Sequence, residues 1–254
     1  MFLEMNFRSK ELKKNTQVNV IIPHSARNSA TPVKTLWLLH GRSDDHTAWM
    51  RNTSIERLAS YYGFAVVMPN VDRSWYTNTA YGMNYFNYIT KELPSVCRST
   101  FSCMSDKREY NLIGGLSMGG YGALKAALTY PENYSDCISL SGSVDVTRRG
   151  RPVDLEEWRS IFGFDLQSPL ELEGSEHDLF ALAQKVKDEG KIFPRFYLWC
   201  GLEDPLIVSN RLLDAHLTKL GADHYFEESE GDHSWKWWEI HIRNSLNWVL
   251  HDTV

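Results

Sequence analysis

A serine set between glycines, Gly115-Leu116-Ser117-Met118-Gly119, lies where the apolar run Tyr110 to Gly114 gives way to Gly120-Tyr121-Gly122-Ala123-Leu124-Lys125, a stretch of helical character. A strand, a tight turn and a helix form the setting that an exposed nucleophilic serine needs. Small neighbours let strand and helix approach, and the first helical N–H groups lie beside the hydroxyl. A serine hydroxyl is a weak nucleophile at neutral pH; it needs a base, and the base needs an orienting acid. The histidines after Ser117 are His177, His216, His224, His233, His241 and His251. His233 sits in the polar turn Glu230-Gly231-Asp232-His233-Ser234-Trp235, from which an imidazole can swing towards the serine. The others read as helical (His216, His241, His251), as a strand start (His224) or as part of an irregular stretch (His177). For the acid, Gly201-Leu202-Glu203-Asp204-Pro205 follows the apolar run Phe196 to Cys200, so Asp204 falls just beyond the carboxyl end of a strand. Pro205 restricts Asp204 to an extended conformation. Glu203 is the rival, either residue could instead cap the following helix, and Asp232 reads as a turn former.

Acyl transfer by such a serine also needs two N–H donors aimed at the developing oxyanion. The amide of Met118, next after the nucleophile, is one candidate. The amide of Arg42 is the other, in the turn His40-Gly41-Arg42-Ser43-Asp44-Asp45-His46 that follows the run Leu36 to Leu39. The crowding of His40, Asp44, Asp45 and His46 in one turn argues against a metal site, whose ligands need spacing that lets them converge. Trp75 and Tyr76 follow another strand end and are candidates to line a substrate pocket, the alternative being that they pack their loop. Trp235, Trp237 and Trp238, at helical spacing, read as core.

The elements that position these residues alternate. Strands are expected over 17–22, 35–39, 64–68, 110–113, 136–140 and 195–200, with helices over 55–62, 81–93, 119–128, 206–220 and 235–250. This is the pattern of an α/β fold with a mainly parallel sheet and helices on both faces. Its 254 residues suit one domain over 1–254, broken only around 144–190, which reads as a cap-like insertion over the site. A net charge of −5 argues against a nucleic-acid surface, and no apolar run is long enough to span a membrane. The N-terminal residues lack the pattern of a secretory signal, and Cys97, Cys103, Cys137 and Cys200 lack CxxC spacing, so a cytoplasmic protein is expected, with Cys137 and Cys200 as buried thiols and a local Cys97–Cys103 bridge as the alternative to free thiols there. Homo-oligomerisation is left open.

Taken together these motifs resemble the tributyrin esterase branch of the esterase D-like α/β-hydrolases. The resemblance rests on Leu38-Leu39-His40-Gly41 with Trp49, Val67-Met68-Pro69-Asn70 with Trp75-Tyr76-Thr77, and Ser105 to Glu109. It also rests on the elbow from Gly115 to Gly122, Ser139-Leu140-Ser141-Gly142, Cys200-Gly201 with Asp204, and His233 with Trp235 and Trp238. It implies an α/β-hydrolase fold and a cofactor-free serine carboxylesterase acting on small short-chain acyl esters. Related members include feruloyl and acetyl-xylan esterases and S-formylglutathione hydrolases. The resemblance is weakest over 144–175.

Overall fold

The apolar runs of the chain form eight strands. They are β1 (Phe2–Arg8), β2 (Asn15–Ile21), β3 (Thr35–Leu39), β4 (Ala65–Pro69), β5 (Asn111–Leu116), β6 (Asp136–Leu140), β7 (Arg195–Gly201) and β8 (His224–Ser229). In this computed structural model, which describes residues 1–28, 31–147 and 154–251, they make one sheet in the order β1-β2-β4-β3-β5-β6-β7-β8. The β1–β2 and β2–β4 pairs are antiparallel and the other neighbours run parallel. The β3, β4, β5 and β6 strands are buried at every position, as expected where helices cover both faces.

Alternation along the strands splits the core in two. Leu36 and Leu38 pack with residues of α1 (Ala48–Asn52), α2 (Ile55–Tyr62) and α9 (Trp235–His251). Trp37 and Leu39 join the larger opposite core, built on α5 (Met118–Thr129), α6 (Leu155–Phe162), α7 (Leu179–Asp188) and α8 (Ile207–Leu220). Ile242 and Leu246 of α9 are fully buried, and each contributes about 2 kcal/mol.

Three features differ from the sequence expectations. β1 adds an antiparallel edge strand, with Leu3, Met5 and Phe7 turned towards the core. The helix expected over 81–93 instead runs from α3 (Tyr85–Asn87) through a π-helical turn at Tyr88–Glu92 into α4 (Leu93–Thr100). Residues 79–83 close a tight turn, with Thr79 N–H donating to Met83 O at 2.9 Å and Gly82 at φ +95°. Pro94 lacks an N–H, and the widened turn before it accommodates that loss without ending the helix. The described part of 144–190 forms α6 and α7 rather than irregular structure. Leu155, Trp158, Ile161 and Phe162 share one face of α6, whose start is capped by the Asp154 carboxylate accepting from the amides of Glu156 and Glu157.

Candidate active site

Ser117 occupies the turn between β5 and α5 with φ +52° and ψ −116°, a strained conformation for a residue with a side chain. Backbone bonds hold it there: its N–H donates to Leu140 O at 2.9 Å, and its carbonyl accepts from Ser143 N–H at 2.9 Å. The glycines are demanded by the close approach of three segments. A Cβ on Gly115 would lie 2.5 Å from the carbonyl carbon of Gly119, and one on Gly119 would lie 2.4 Å from Leu39 O. Met118 supplies the first N–H of α5, a group without an intrahelical partner.

His233 follows β8 and places Nε2 3.0 Å from Ser117 Oγ. Its Nδ1 lies 2.8 Å from Asp204 Oδ2, so Nδ1 carries the proton and Nε2 is free to accept one. Asp204, at the end of β7, is buried. Burial pushes its carboxyl up, but the His233 hydrogen bond and charge outweigh it. With the Leu206 amide and the nearby Ser141 hydroxyl, they hold the group below the usual carboxylate range. Glu203, the rival acid, accepts instead from Gly231 N–H at 2.7 Å and so braces the histidine loop. That loop and the acid loop touch backbone to backbone: a Cβ on Gly201 would lie 2.0 Å from Gly231 O. Among the other histidines, His216 reaches Phe180 O at 3.0 Å, His224 reaches Asp214 at 2.9 Å and His241 stacks on Trp199.

Ser117 and His233 open onto a cavity of about 550 Å³, also lined by Arg42, Met118, Trp75 and Trp158. Glu157 of α6 receives the guanidinium groups of both Arg42 and Arg73, and thereby ties α6 to the loops after β3 and β4. The two aromatic pocket candidates separate. Trp75 lines the cavity, edge-on to Trp158 at 5.0 Å. Tyr76 does not: it is fully buried, its ring lies against Gly122 of α5, and its hydroxyl donates to His40 O at 2.8 Å. Its role is to fasten loops beneath the site. His40 does the same. Its Nδ1 donates to Gly41 O at 2.7 Å and its Nε2 accepts from Val71 N–H at 3.1 Å, while burial lowers its pKa to about 4. Asp44 accepts from Gly41 N–H, and Asp45 bonds Thr47, each serving its own turn. The four cysteines are free.

The role of Ser141 escaped the motif reading. Ser141, at φ +47° after β6, donates its N–H to Trp199 O at 2.7 Å, and its hydroxyl accepts from Trp238 Nε1 at 3.0 Å. Trp238 in turn meets the His233 ring edge-on at 4.9 Å. The sequence signal was Ser-Leu-Ser-Gly after a strand, read only as part of the resemblance.

The family model described as "Putative esterase" matches residues 9–249. An acetyl esterase from Caldicellulosiruptor saccharolyticus is 36% identical, over 97% of this chain and 97% of its own. The substrate-bound structure of FphF, a fluorophosphonate-binding serine hydrolase of Staphylococcus aureus, superposes with a TM-score of 0.90 at 35% identity, covering 98% of each chain. An S-formylglutathione hydrolase (FrmB) from the same organism, solved as the apoenzyme, does so at 0.87 and 34%, again over 98% of each chain.

Proposed function

The chain belongs to the esterase family that its sequence matches almost throughout, and from that premise we propose a serine carboxylesterase of the tributyrin esterase branch, cleaving short-chain acyl esters through an acyl-enzyme. The observation that carries this reading is the relay of Ser117 Oγ to His233 Nε2 at 3.0 Å and His233 Nδ1 to Asp204 at 2.8 Å, opening on the cavity. Ser117 attacks the ester carbonyl while His233 takes its proton. Asp204, kept ionised, steadies the imidazolium. The amides of Arg42 and Met118 hold the oxyanion, and as the tetrahedral intermediate collapses His233 returns the proton to the departing alcohol. Water activated by His233 then releases the acid. No step calls for a cofactor or metal. Segment 144–190 serves as a cap within a single 1–254 domain, a role supported by Asp154, Glu157 and Trp158 at the cavity. Trp75 and Trp158 form the acyl wall and favour short chains. Among the described residues no helix is long and apolar enough to cross a membrane, and the free thiols support a reducing compartment such as the cytoplasm.

The likeness to an S-formylglutathione hydrolase over almost the full chain favours one second reading, thioester cleavage by the same serine. Rates on acetyl to decanoyl p-nitrophenyl esters and on S-formylglutathione, for the wild type and Ser117→Ala, test both. The ester reading expects acetyl or butyryl esters to lead and Ser117→Ala to lose about a thousandfold or more. A variant keeping a tenth of the activity, free of contaminating esterase, overturns the serine mechanism. A wild type faster on S-formylglutathione than on any ester moves the assignment to the thioesterase.

A further inference from the structure

Behind the acyl wall lies a lysine that the proposed chemistry does not use. Lys125 sits on α5, about two turns beyond Ser117, and is fully buried. Its direct hydrogen-bond partners are neutral. Nζ donates to Thr77 Oγ1 at 2.9 Å and to His177 Nδ1 at 3.0 Å, and it stands 4.8 Å from the centre of the Phe86 ring. Burial lowers the amine to about 7, the carboxylate of Glu176 opposing the change. Burial and the Lys125 charge lower His177 to about 3, so its ring is neutral and Nδ1 is the acceptor. Glu176 is largely exposed and lies on the far side of that ring, 3.8 Å from Nε2.

An alkyl side chain would fill this space without the cost of burying an amine. What an alkyl chain lacks is the ability to hold two acceptors from two different segments. Thr77 passes the hold on, its hydroxyl donating to Trp75 O at 3.1 Å. Tyr121, one turn before Lys125, donates to His177 O at 3.0 Å and meets the Trp75 ring edge-on at 5.8 Å. The turn being held is strained: Trp75 and Tyr76 have φ +53° and +49° in succession, a conformation costing on the order of 1 kcal/mol or more per residue with a side chain. Such a turn persists only under outside restraint.

We propose that Lys125 is a positioning residue that sets the acyl-chain limit, because it ties Thr77 and His177 to the nucleophile helix and thereby fixes Trp75 as the wall of the acyl pocket. The inference rests on the serine esterase reading. It assigns to a residue remote from the reacting atoms the choice of which acyl chains fit.

The test compares kcat/KM from acetyl to decanoyl p-nitrophenyl esters for the wild type, Lys125→Met, Thr77→Val, Thr77→Ser and Trp75→Ala. Lys125→Met keeps the length and removes both hydrogen bonds. It is expected to raise the octanoyl-to-acetyl ratio about tenfold, with acetyl activity within about threefold of the wild type. Thr77→Val should shift the ratio the same way, while Thr77→Ser, which keeps the hydroxyl, should retain the wild-type ratio. That rescue separates positioning from loss of packing. Should Lys125→Met fail to fold, the Thr77 pair decides. The proposal is overturned if folded Lys125→Met and Thr77→Val, both labelled fully by a fluorophosphonate, keep the wild-type ratio, or if Thr77→Ser shifts as far as Thr77→Val. An unchanged ratio in those variants beside a shifted Trp75→Ala sinks the role of Lys125 and leaves the esterase reading intact. Full activity in Ser117→Ala sinks the reading itself.

Discussion

A histidine is aimed as a base by the partner that holds its second nitrogen, and at His233 that hold extends well past Asp204. The carboxylate is steadied by the Leu206 amide at 2.8 Å and by Ser141, which Trp238 keeps in place. Ser117 and His233 should therefore behave as one unit. The double variant Ser117→Ala/His233→Ala is expected to lose no more than the worse single variant, measured as kcat/KM; two large losses that multiply would show that the residues act apart. Ser141→Ala should lower kcat/KM about tenfold at unchanged KM, since it loosens the acid without touching substrate. An unaltered kcat would remove Ser141 from the relay. Ser117, Asp204 and His233, which the structure brings within hydrogen-bond reach, could be picked out from the sequence because each sits in a local pattern of strand end and turn. Ser141 and Lys125 could not: their partners Trp238 and His177 lie 97 and 52 positions away, and no local spacing records such contacts. Trp75 and Tyr76 were taken as a pair, but consecutive residues in a strained turn point in different directions, and only the first reaches the cavity.

At the level of elements, the α5 helix is seated by the absence of side chains. A Cβ on Gly122 would lie 2.4 Å from the Tyr76 ring, so Gly122→Ala must displace the ring that fastens the loops after β3 and β4. It should cost about 1–3 kcal/mol of stability by urea denaturation and reduce kcat as well. A variant as stable and active as the wild type would mean that Tyr76 moves aside freely. The α6 helix is held differently, through Glu157 and two arginines. Glu157→Gln keeps the shape and removes the charge. Because the arginines are partly exposed, the loss in stability should stay within about 1 kcal/mol, whereas KM for esters should rise as α6 loosens over the cavity; an unchanged KM would make the tie ornamental to binding. The strands and most helices could be read from apolar runs and periodicity. The α6 helix was hidden because its apolar stripe of Leu155, Trp158, Ile161 and Phe162 is interleaved with charges. The helix through Pro94 was hidden because a widened turn, which leaves no sequence signature, admits a residue that normally ends helices.

For the molecule as a whole, buried groups kept neutral decide how stability follows pH. His40 and His177 titrate near 4 and 3 when folded, against an ordinary value of 6.5. The unfolded chain therefore binds protons first on acidification. Their contribution is complete above about pH 6.5 and is lost as pH falls towards 4 and below. Between pH 7 and 5 these two groups should lower the unfolding free energy by about 4 kcal/mol; denaturation curves that coincide at the two values would contradict this. Lys125 acts in another window. Its folded value of about 7 lies below the ordinary 10.5, so its penalty is present at pH 7 and relieved as pH rises towards 10.5. Relative to Lys125→Met, the wild type should gain about 2–3 kcal/mol between pH 7 and 9, and a constant difference would refute it. One further consequence follows from where the base is mounted. The proposed nucleophile and oxyanion amides follow β3 and β5, inside the sheet, whereas His233 follows β8, which among the described residues is paired on one side only. Rims open at lower free energy than interiors. On heating, a fraction of molecules should therefore let β8 and its histidine swing away while the rest of the sheet is still intact. Hydrolysis should fade several degrees before the circular-dichroism signal does, and it should return in full on cooling from that interval.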